Sequence, residues 1–304
     1  MHIPVLIKES IREMNLKEGD IAVDCTTNRA GHSLEIAKVI GKNGTLFCFD
    51  LDNSALKEAK IFLEENLSKE KLPKIFYIND NFRNLENVLK ENLQDKKVDA
   101  ILADLGLSSQ EIDDSGRGFT FQKDEPLLMT LKDNVDEDAL TAEKIVNIWN
   151  EENLADIIFY YGDERYARRI AKKICEDRKK KYINTTFDLI KVISEAVPEK
   201  YKNSRIHFAT KTFQALRMTV NDELKAEEDL LESLPKVLRE KGRASIITFH
   251  SGEDRIVKNV TRNNKEELKL VKFENKKDFL EPSREEIREN PRSRSAKLRI
   301  IEKI

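Results

Sequence analysis

Three aspartates, Asp24, Asp50 and Asp104, each close a short apolar run of the sequence. Short apolar runs bounded by polar turns are typical of strands buried in a parallel sheet. In an open α/β sheet, ligands bind just beyond the carboxyl ends of the strands, and the three carboxylates are expected at that edge. The alternative for each acid is structural, because acids also stabilise the start of a following helix.

The position of Asp50, after the second strand pattern, suits a carboxylate that accepts hydrogen bonds from both hydroxyls of a ribose. The first turn, 25–33, has Gly31 as its only glycine. It is therefore a poor match to the G-x-G-x-x-G turn that brings a pyrophosphate onto backbone amides. This disfavours a nicotinamide-dependent oxidoreductase and favours a cofactor without phosphates. S-adenosylmethionine fits, since its amino-acid end can bind a polar turn and its sulfonium tolerates neighbouring carboxylates.

The elements that would position these acids alternate between strand and helix patterns. Strand patterns cover 21–24, 45–50, 74–78 and 98–103, and helical patterns cover 34–40, 53–67 and 84–93. Such alternation predicts a parallel sheet with right-handed crossovers. Asn53 or Ser54 is the predicted cap of the second of these helices.

The alternation stops after Asp113 and resumes near the C-terminus. Helical patterns with loops fill the region between, and strand patterns return at 244–249, 268–273 and 296–301. We therefore expect an α/β core interrupted by a helical domain. Residues 1–113 form the first part of the core, 114–204 the insert and 205–304 the second part.

Composition narrows the class of protein. Apolar residues make up 39% of the 304 residues and charged residues 36%, as in a globular protein with a heavily solvated surface. No apolar run approaches the ~20 residues that a membrane-spanning helix needs. Three widely spaced cysteines match no metal-binding pattern, and no metal site is expected. A cytoplasmic location is the simplest expectation.

The distribution of charged residues along the sequence is more informative than the net charge. The net charge of −2 indicates no nucleic-acid partner, but residues 165–181 hold nine Lys or Arg against two acids. A second group of cations follows near the C-terminus, at Arg292, Arg294, Lys297 and Arg299. Both groups are candidates for neutralising phosphates. The alternative is that they are solvated charges on a helix and an edge strand.

Nine motifs stand in order along almost the whole chain. They are H-I-P-V-L at 2–6, A-G-H-S at 30–33, F-D-L-D at 49–52, D-L-G-L-S-S at 104–109, D-D-S-G-R-G-F-T-F at 113–121, Y-G-D-E-R-Y-A-R-R-I-A at 161–171, R-I-H-F-A-T-K-T-F-Q-A-L-R at 205–217, F-H-S-G-E-D-R-I-V-K at 249–258 and N-P-R-S-R-S-A-K-L-R at 290–299. With these motifs the chain resembles the MraW-type methyltransferases, which act on a cytosine exocyclic amine in small-subunit ribosomal RNA.

The resemblance implies a fold, a cofactor and a partner. The fold is a Rossmann-like class I methyltransferase core with a helical domain inserted after the fourth strand. The cofactor is S-adenosyl-L-methionine, and the reaction is methylation of the N4 amine of a cytosine in 16S ribosomal RNA. The partner is this RNA or an assembling small ribosomal subunit, and the chain would act as a monomer or a homodimer.

The resemblance also assigns roles to residues. The positions that match cofactor contacts of the family are Ala30, Gly31, His32, Asp50, Phe82, Asp104 and Glu111. Asp50 would hold the ribose hydroxyls and Phe82 would flank the adenine. His32 has a second interpretation, as a polar residue at a helix start. For catalysis, Asp104 with Ser108 or Ser109 would accept a hydrogen bond from the target amine and help localise its lone pair.

Four stretches depart from the family pattern. The first turn, usually rich in glycine, reads Thr27-Asn-Arg-Ala30. Two acids and an arginine that usually follow Pro126 are absent, Glu111 replaces an expected glutamine, and Gly252 replaces an expected leucine. These changes lie around the expected pocket. A divergent paralogue with another RNA substrate, or one that binds RNA and cofactor without catalysis, is therefore the alternative.

Overall fold

The structure is a computed structural model that describes residues 4–68, 70–94, 96–106, 112, 115–132, 135–136, 138–274 and 276–304. The chain divides into two compact units. Met1–Gly106 and Leu224–Ile304 form the first, which we call the sheet unit, and Leu107–Glu223 form the second, the helical unit. The helical unit is wider at both ends than the predicted insert, 114–204. Its C-terminal limit lies later because Phe213 and Leu216 are buried in its core.

The sheet unit is built on one mixed sheet. Its strands are β1 (Ile21–Asp24), β2 (Thr45–Phe49), β3 (Lys74–Ile78), β4 (Val98–Asp104), β5 (Leu238–Thr248), β6 (Leu268–Leu270) and β7 (Lys297–Lys303). Among the described residues these seven strands lie in the order β3-β2-β1-β4-β5-β7-β6. The first five pair in parallel, whereas β7 is antiparallel to β5 and β6. The predicted Rossmann-like α/β core is confirmed.

The sixth strand is shorter than predicted. The pattern placed a strand over 268–273, but β6 ends at Leu270. The chain then turns, since the N–H of Phe273 donates to the carbonyl of Lys277. A backbone amide used in a turn cannot continue the ladder of the sheet.

The helices follow the expected alternation. They are α1 (Ile7–Met14), α2 (Gly31–Ile40), α3 (Asn53–Asn66), α4 (Leu85–Leu93), α5 (Ala142–Ile148), α6 (Glu151–Tyr160), α7 (Ala167–Asp177), α8 (Thr186–Ala196), α9 (Glu199–Lys202), α10 (Thr210–Asn221), α11 (Glu223–Val237), α12 (Ser251–Asn263) and α13 (Arg284–Glu289). Single 3₁₀ turns occur at Phe82–Asn84 and Pro291–Ser295. None of the helices described is long and apolar enough to cross a membrane.

Helices cover both faces of the sheet, because successive side chains of a strand point to opposite faces. On one face, Ala22, Leu46 and Leu102 share an apolar cluster with residues of α1, α2 and α3. On the other face, the adjacent residues of the same strands share a cluster with α4, α11 and α12. The near-continuous apolar runs in the sequence follow from this double burial.

The helical unit has its own core. Apolar residues of α5, α6, α7, α8 and α10 are buried in one cluster. Asp163 has a left-handed φ of 51° that a helix cannot contain, and α7 begins after it, at Ala167. Leu127 and Met129, within the stretch that departs from the family pattern, are fully buried in this core.

Candidate active site

Asp104 ends β4 at the carboxyl edge of the sheet. Its backbone N–H donates to Oγ1 of Thr26 at 2.8 Å, which ties it to the turn after β1. Its side chain is 16% exposed, and its buried Oδ1 has no hydrogen-bond partner among the residues described. Burial, followed by the charges of Asp24, Glu253 and Glu286, raises the pKa of Asp104 well above its usual range. A buried carboxyl oxygen without a partner is costly and points to a ligand contact.

Asp24, at the end of β1, is fully buried and shapes the first turn. It accepts a hydrogen bond from Oγ of Ser33 at 2.6 Å and another from the N–H of Thr26 at 3.1 Å. Burial raises the pKa of Asp24 to about 6. Of the two interpretations of Asp24, these contacts favour the structural one, in which it holds together the turn and the start of α2.

Asp50 follows β2 and is half-buried. Its Oδ2 accepts the N–H of Asn28 at 2.8 Å, and its Oδ1 accepts the N–H of Asp52 at 2.9 Å. The cap of α3 is Asp52, whose side chain accepts the N–H groups of Ser54 and Ala55, and not Asn53 or Ser54 as predicted. The structural alternative for Asp50 was a helix cap, and the structure gives this role to Asp52. A carboxylate has about four lone-pair sites, so these two hydrogen bonds do not by themselves exclude Asp50 from a ribose site.

Gly31 and His32 begin α2 against the N-terminal segment of the chain. A Cβ on Gly31 would lie 2.3 Å from Cγ of Pro4, so only glycine fits this contact. His32 is buried, with Nε2 3.1 Å from the carbonyl oxygen of Val5. Because a carbonyl only accepts, Nε2 carries a proton and donates in this contact. Nδ1 then faces Oδ2 of Asp104 at 3.9 Å.

The remaining cofactor candidates lie at the same edge of the sheet or outside the described residues. Ala30 is fully buried and has a left-handed φ of 60° at the N-cap of α2. Phe82 is half-buried beside the apolar cluster on the α4 face of the sheet. Ser108, Ser109 and Glu111 fall outside the described residues.

The residues that the structure brings together fit S-adenosylmethionine. Asp50 presents acceptors for a ribose at the end of β2, and Asp104 presents an unpartnered buried oxygen at the end of β4. A buried carboxylate of this kind is stabilised by a nearby cation, and the cofactor carries a sulfonium. Gly31 and His32 begin α2, with Nδ1 of His32 3.9 Å from Asp104.

Comparison with known proteins identifies the family. The model of the MraW methylase family matches residues 1–304. The chain belongs to the MraW methylase family. It is an S-adenosylmethionine-dependent methyltransferase.

Relatives match over their full length. "Ribosomal RNA small subunit methyltransferase H" of Finegoldia magna is 44% identical, with 100% of this chain and 98% of the relative covered. The proteins of the same name from Clostridioides difficile and Thermosipho africanus are 40% and 43% identical, with 100% of this chain and 99% and 98% of the relatives covered.

Solved structures are similar at lower identity. An rRNA methylase from Streptococcus thermophilus is 10% identical with a TM-score of 0.45, and the match covers 97% of this chain and 93% of that one. A SAM-dependent O-methyltransferase from Thermotoga maritima is 11% identical with a TM-score of 0.40, covering 99% and 72%.

Some residues of the MraW family site were missed by the sequence analysis. Thr26 bridges Asp24 and Asp104, and Val5 orients His32. The motif H-I-P-V-L was recognised without a role, and its place beside α2 is a long-range contact that no local pattern encodes. The polar turn Thr26-Thr27 after a buried strand was the available signal for Thr26.

Gly252 is a departure from the MraW pattern with a visible consequence. His250 caps α12 with its Nδ1, which accepts the N–H groups of Gly252 and Glu253. A Cβ at position 252 would lie 3.0 Å from that Nδ1, so a larger side chain requires the ring to move by a few tenths of an ångström. Glycine therefore suits the observed ring position.

The basic stretch 165–181 divides into two halves that differ in the contacts of their side chains. In the C-terminal half, Lys173 pairs with Asp177 and Glu195, and Arg178 donates to two backbone carbonyls. Lys180 and Lys181 also have acidic partners. In the N-terminal half, Arg165, Arg168, Arg169 and Lys172 are exposed, two of the arginines lie over aromatic rings, and Lys172 is 3.9 Å from Glu176.

The C-terminal cations are not all available to a partner. Arg299 is 3% exposed and forms ion pairs with Asp254 at 2.7 Å and Asp278 at 2.8 Å. Its predicted role in neutralising phosphates is wrong, because a buried guanidinium bound by two carboxylates cannot reach solvent. Arg292 and Arg294 are exposed.

Proposed function

We propose that the chain transfers a methyl group from S-adenosylmethionine to the exocyclic N4 amine of a cytosine in small-subunit ribosomal RNA. The observation that carries the site is the buried, unpartnered Oδ1 of Asp104 at the carboxyl end of β4. The substrate class comes from full-length relatives named as small-subunit ribosomal RNA methyltransferases.

Methyl transfer to this amine requires a hydrogen-bond acceptor positioned beside it. The amine of cytosine is a poor nucleophile because its lone pair is delocalised into the ring. When bound, S-adenosylmethionine supplies a methyl group activated by a sulfonium. Asp104 accepts an N–H of the amine, which localises the lone pair and aligns the base for attack. Ser108 and Ser109 are proposed as further hydrogen-bonding groups for the base.

The other residues bind and orient the cofactor. Asp50 accepts the ribose hydroxyls, and the half-buried ring of Phe82 flanks the adenine. Ala30, Gly31 and His32 form the wall at the start of α2, with Glu111 completing the set. The hydrogen bonds that hold Asp50 and His32 keep their side chains in place, so little ordering is needed on binding.

RNA binding is assigned to the exposed cations of α7 and to Arg165, two residues before it. Arg168, Arg169 and Lys172 lie on α7 and Arg165 in the turn that precedes it, where successive phosphates can be neutralised. A base must leave its stack to reach an acceptor at a buried site, at a cost of a few kcal/mol. Looped or single-stranded RNA is therefore the proposed target.

The setting follows from the substrate. Ribosomal RNA in an assembling small subunit places the protein in the cytoplasm. Light scattering of the purified chain, with and without RNA, distinguishes a monomer from a homodimer.

The test is methyl transfer from labelled cofactor to small subunits isolated from cells that lack the gene. We expect one labelled cytosine, with the methyl group on N4, and no label with Asp104→Asn. The Asp52→Ala protein, which keeps the proposed site, serves as the control. Cofactor binding without transfer to subunits or RNA would support the non-catalytic alternative, and label on another RNA would support the paralogue with a different substrate.

A further inference from the structure

The N-terminal segment, residues 4–6, contacts two helices of the sheet unit, α2 and α13. Pro4 packs on Gly31 at the start of α2. The carbonyl of Val5 accepts the Nε2–H of His32 at 3.1 Å. The N–H of Leu6 donates to Oε1 of Glu286 at 2.7 Å, across 280 positions of sequence.

Two of these bonds are made by a single peptide group. The carbonyl of Val5 and the N–H of Leu6 belong to the same planar unit, and in a trans peptide they point in opposite directions. His32 therefore hydrogen-bonds to the carbonyl side of this peptide plane, and Glu286 to its N–H side. Rotation of the plane would weaken both bonds together, and each bond polarises the group toward the other.

The backbone at Leu6 shows that the peptide group is held against its preference. Leu6 has a left-handed φ of 50°, and its side chain is buried. This conformation costs a non-glycine residue roughly 1–2 kcal/mol and persists only where the surroundings fix it. The charge-assisted hydrogen bond from Leu6 to Glu286 is one interaction that fixes it.

The fixed peptide group determines where the His32 ring points. With Nε2 bound to Val5, Nδ1 faces Oδ2 of Asp104 at 3.9 Å, which is longer than a direct hydrogen bond. We infer that Glu286, on α13, is a positioning residue that orients His32 toward Asp104 through the Val5–Leu6 peptide. The inference rests on the proposed function for its effect on catalysis, but the orientation itself is independent of the reaction.

The test compares substitutions of two neighbouring acids of α13. Glu286→Ala removes the acceptor, Glu286→Gln keeps an acceptor oxygen, and Glu285→Ala is the matched control for loss of an acid from this helix. The readout is the ¹⁵N and ¹H spectrum of the histidine rings in the full chain, with His32 assigned from His32→Gln. Calorimetry gives the cofactor dissociation constant of each protein.

We expect Glu286→Ala to move the His32 ring signals away from those of the wild type, in which Nε2 carries a proton. It should raise the cofactor dissociation constant about tenfold, because a reoriented His32 ring loses its hydrogen bond at the cofactor site. Glu286→Gln should keep the wild-type ring signals and stay within about threefold in dissociation constant. Glu285→Ala should match the wild type in both measurements.

Unchanged His32 signals in Glu286→Ala would overturn the inference, whatever happens to stability or activity. If Glu286→Ala does not fold, Glu286→Asp tests the same point, because the shorter carboxylate retracts from Leu6. A merely structural role predicts a lower melting temperature with an unaltered ring spectrum. If the wild type transfers no methyl group, the proposed function fails, and the ring spectra still decide the role of Glu286.

Discussion

The backbone N–H of Asn28 lies 2.8 Å from Oδ2 of Asp50, so the turn after β1 is fastened to the end of β2. Asn28 has a left-handed φ of 45°, which aims its N–H toward the neighbouring strand. Asp50 therefore serves two purposes: it shapes the first turn, and it is the proposed acceptor for the ribose. Experiments on this residue must separate these purposes.

Asp50→Asn is expected to weaken cofactor binding by about 1.5–3 kcal/mol, the range for hydrogen bonds to a charged group. The amide keeps one oxygen that can accept the N–H of Asn28, so the turn should persist. Calorimetry with S-adenosylmethionine measures the change. An unaltered dissociation constant would remove Asp50 from the ribose site.

Asp52→Ala is the control for this measurement. It removes an acid two residues away whose side chain caps α3 through the N–H groups of Ser54 and Ala55. Loss of a cap costs about 1 kcal/mol of stability. We expect a lower midpoint of urea unfolding and unchanged cofactor affinity, the reverse of the result for Asp50→Asn.

Gly31→Ala should disrupt the contact between α2 and the N-terminal segment. The added Cβ would lie 2.3 Å from Cγ of Pro4, far inside contact distance, so Pro4 must move. Overpacking of this kind costs about 1–3 kcal/mol. The double variant Gly31→Ala with Pro4→Ala, which removes the opposing ring atom, should recover most of the loss.

A thermodynamic cycle on these two positions measures the coupling, from urea unfolding of the four proteins. Contacting residues give interaction energies of about 0.5–3 kcal/mol, whereas distant residues are additive. Additive losses would show that Pro4 does not pack on Gly31 in solution.

The fold was predictable because its local signals agree with its long-range contacts. Strands buried on both faces leave apolar runs such as Thr45–Phe49, and the alternation with amphipathic helices indicates parallel pairing. The C-terminal limit of the inserted helical domain was harder to predict from the sequence. Thr210–Asn221 has an ordinary helical pattern, and only the burial of Phe213 and Leu216 among other helices assigns it to the helical unit.

The sequence predicted which acids lie at the candidate site, but it did not predict the role of each acid. Position at strand ends placed Asp24, Asp50 and Asp104 at one edge, but whether each faces a ligand depends on burial and on side chains elsewhere. Asp24 is enclosed by Ser33 and Thr26. The hydrogen bond that Val5 accepts from His32 and the one that Leu6 donates to Glu286 join distant parts of the chain, and sequence periodicity carries no information on such pairs.

Charge reversal on α7 tests the proposed RNA surface. Arg168→Glu with Arg169→Glu changes two exposed cations, and we expect weaker RNA binding with unchanged cofactor affinity. If each arginine neutralises one phosphate of a single strand, the slope of log affinity against log salt should flatten by about 1.4. Fluorescence anisotropy with a labelled RNA hairpin at several salt concentrations measures this slope.

Lys180→Glu with Lys181→Glu is the matched control, because it makes the same change in net charge farther along the same stretch. These lysines are paired with Asp177 and Asp188. We expect this variant to retain more RNA affinity than the α7 variant. Equal losses in both variants would indicate general electrostatic attraction and no defined surface at α7.

Asp104→Asn should separate catalysis from stability. The amide keeps the size of the side chain and removes the charge of the proposed acceptor. We expect the rate of methyl transfer to fall roughly 100-fold or more, the scale for a positioned polar group. The wild-type rate should also fall as the pH drops through the raised pKa of Asp104, since protonation removes the acceptor. This acid limb should vanish in the variant.

The stability of the wild type should have the opposite pH dependence to its rate of methyl transfer. The pKa of Asp104 is raised in the folded protein, mainly by burial, so its contribution to stability is present below the usual carboxyl range. That contribution is lost as the pH rises through the folded pKa, where the buried group must ionise. Asp104→Asn avoids this cost, and its melting temperature relative to the wild type should increase with pH. Asp24, with a pKa of about 6, remains in both proteins, and because its charge contributes to the raised pKa of Asp104, the pH-dependent difference between them includes this coupling. A variant that transfers methyl groups normally but melts earlier at every pH would instead make Asp104 a structural residue of the β4 turn.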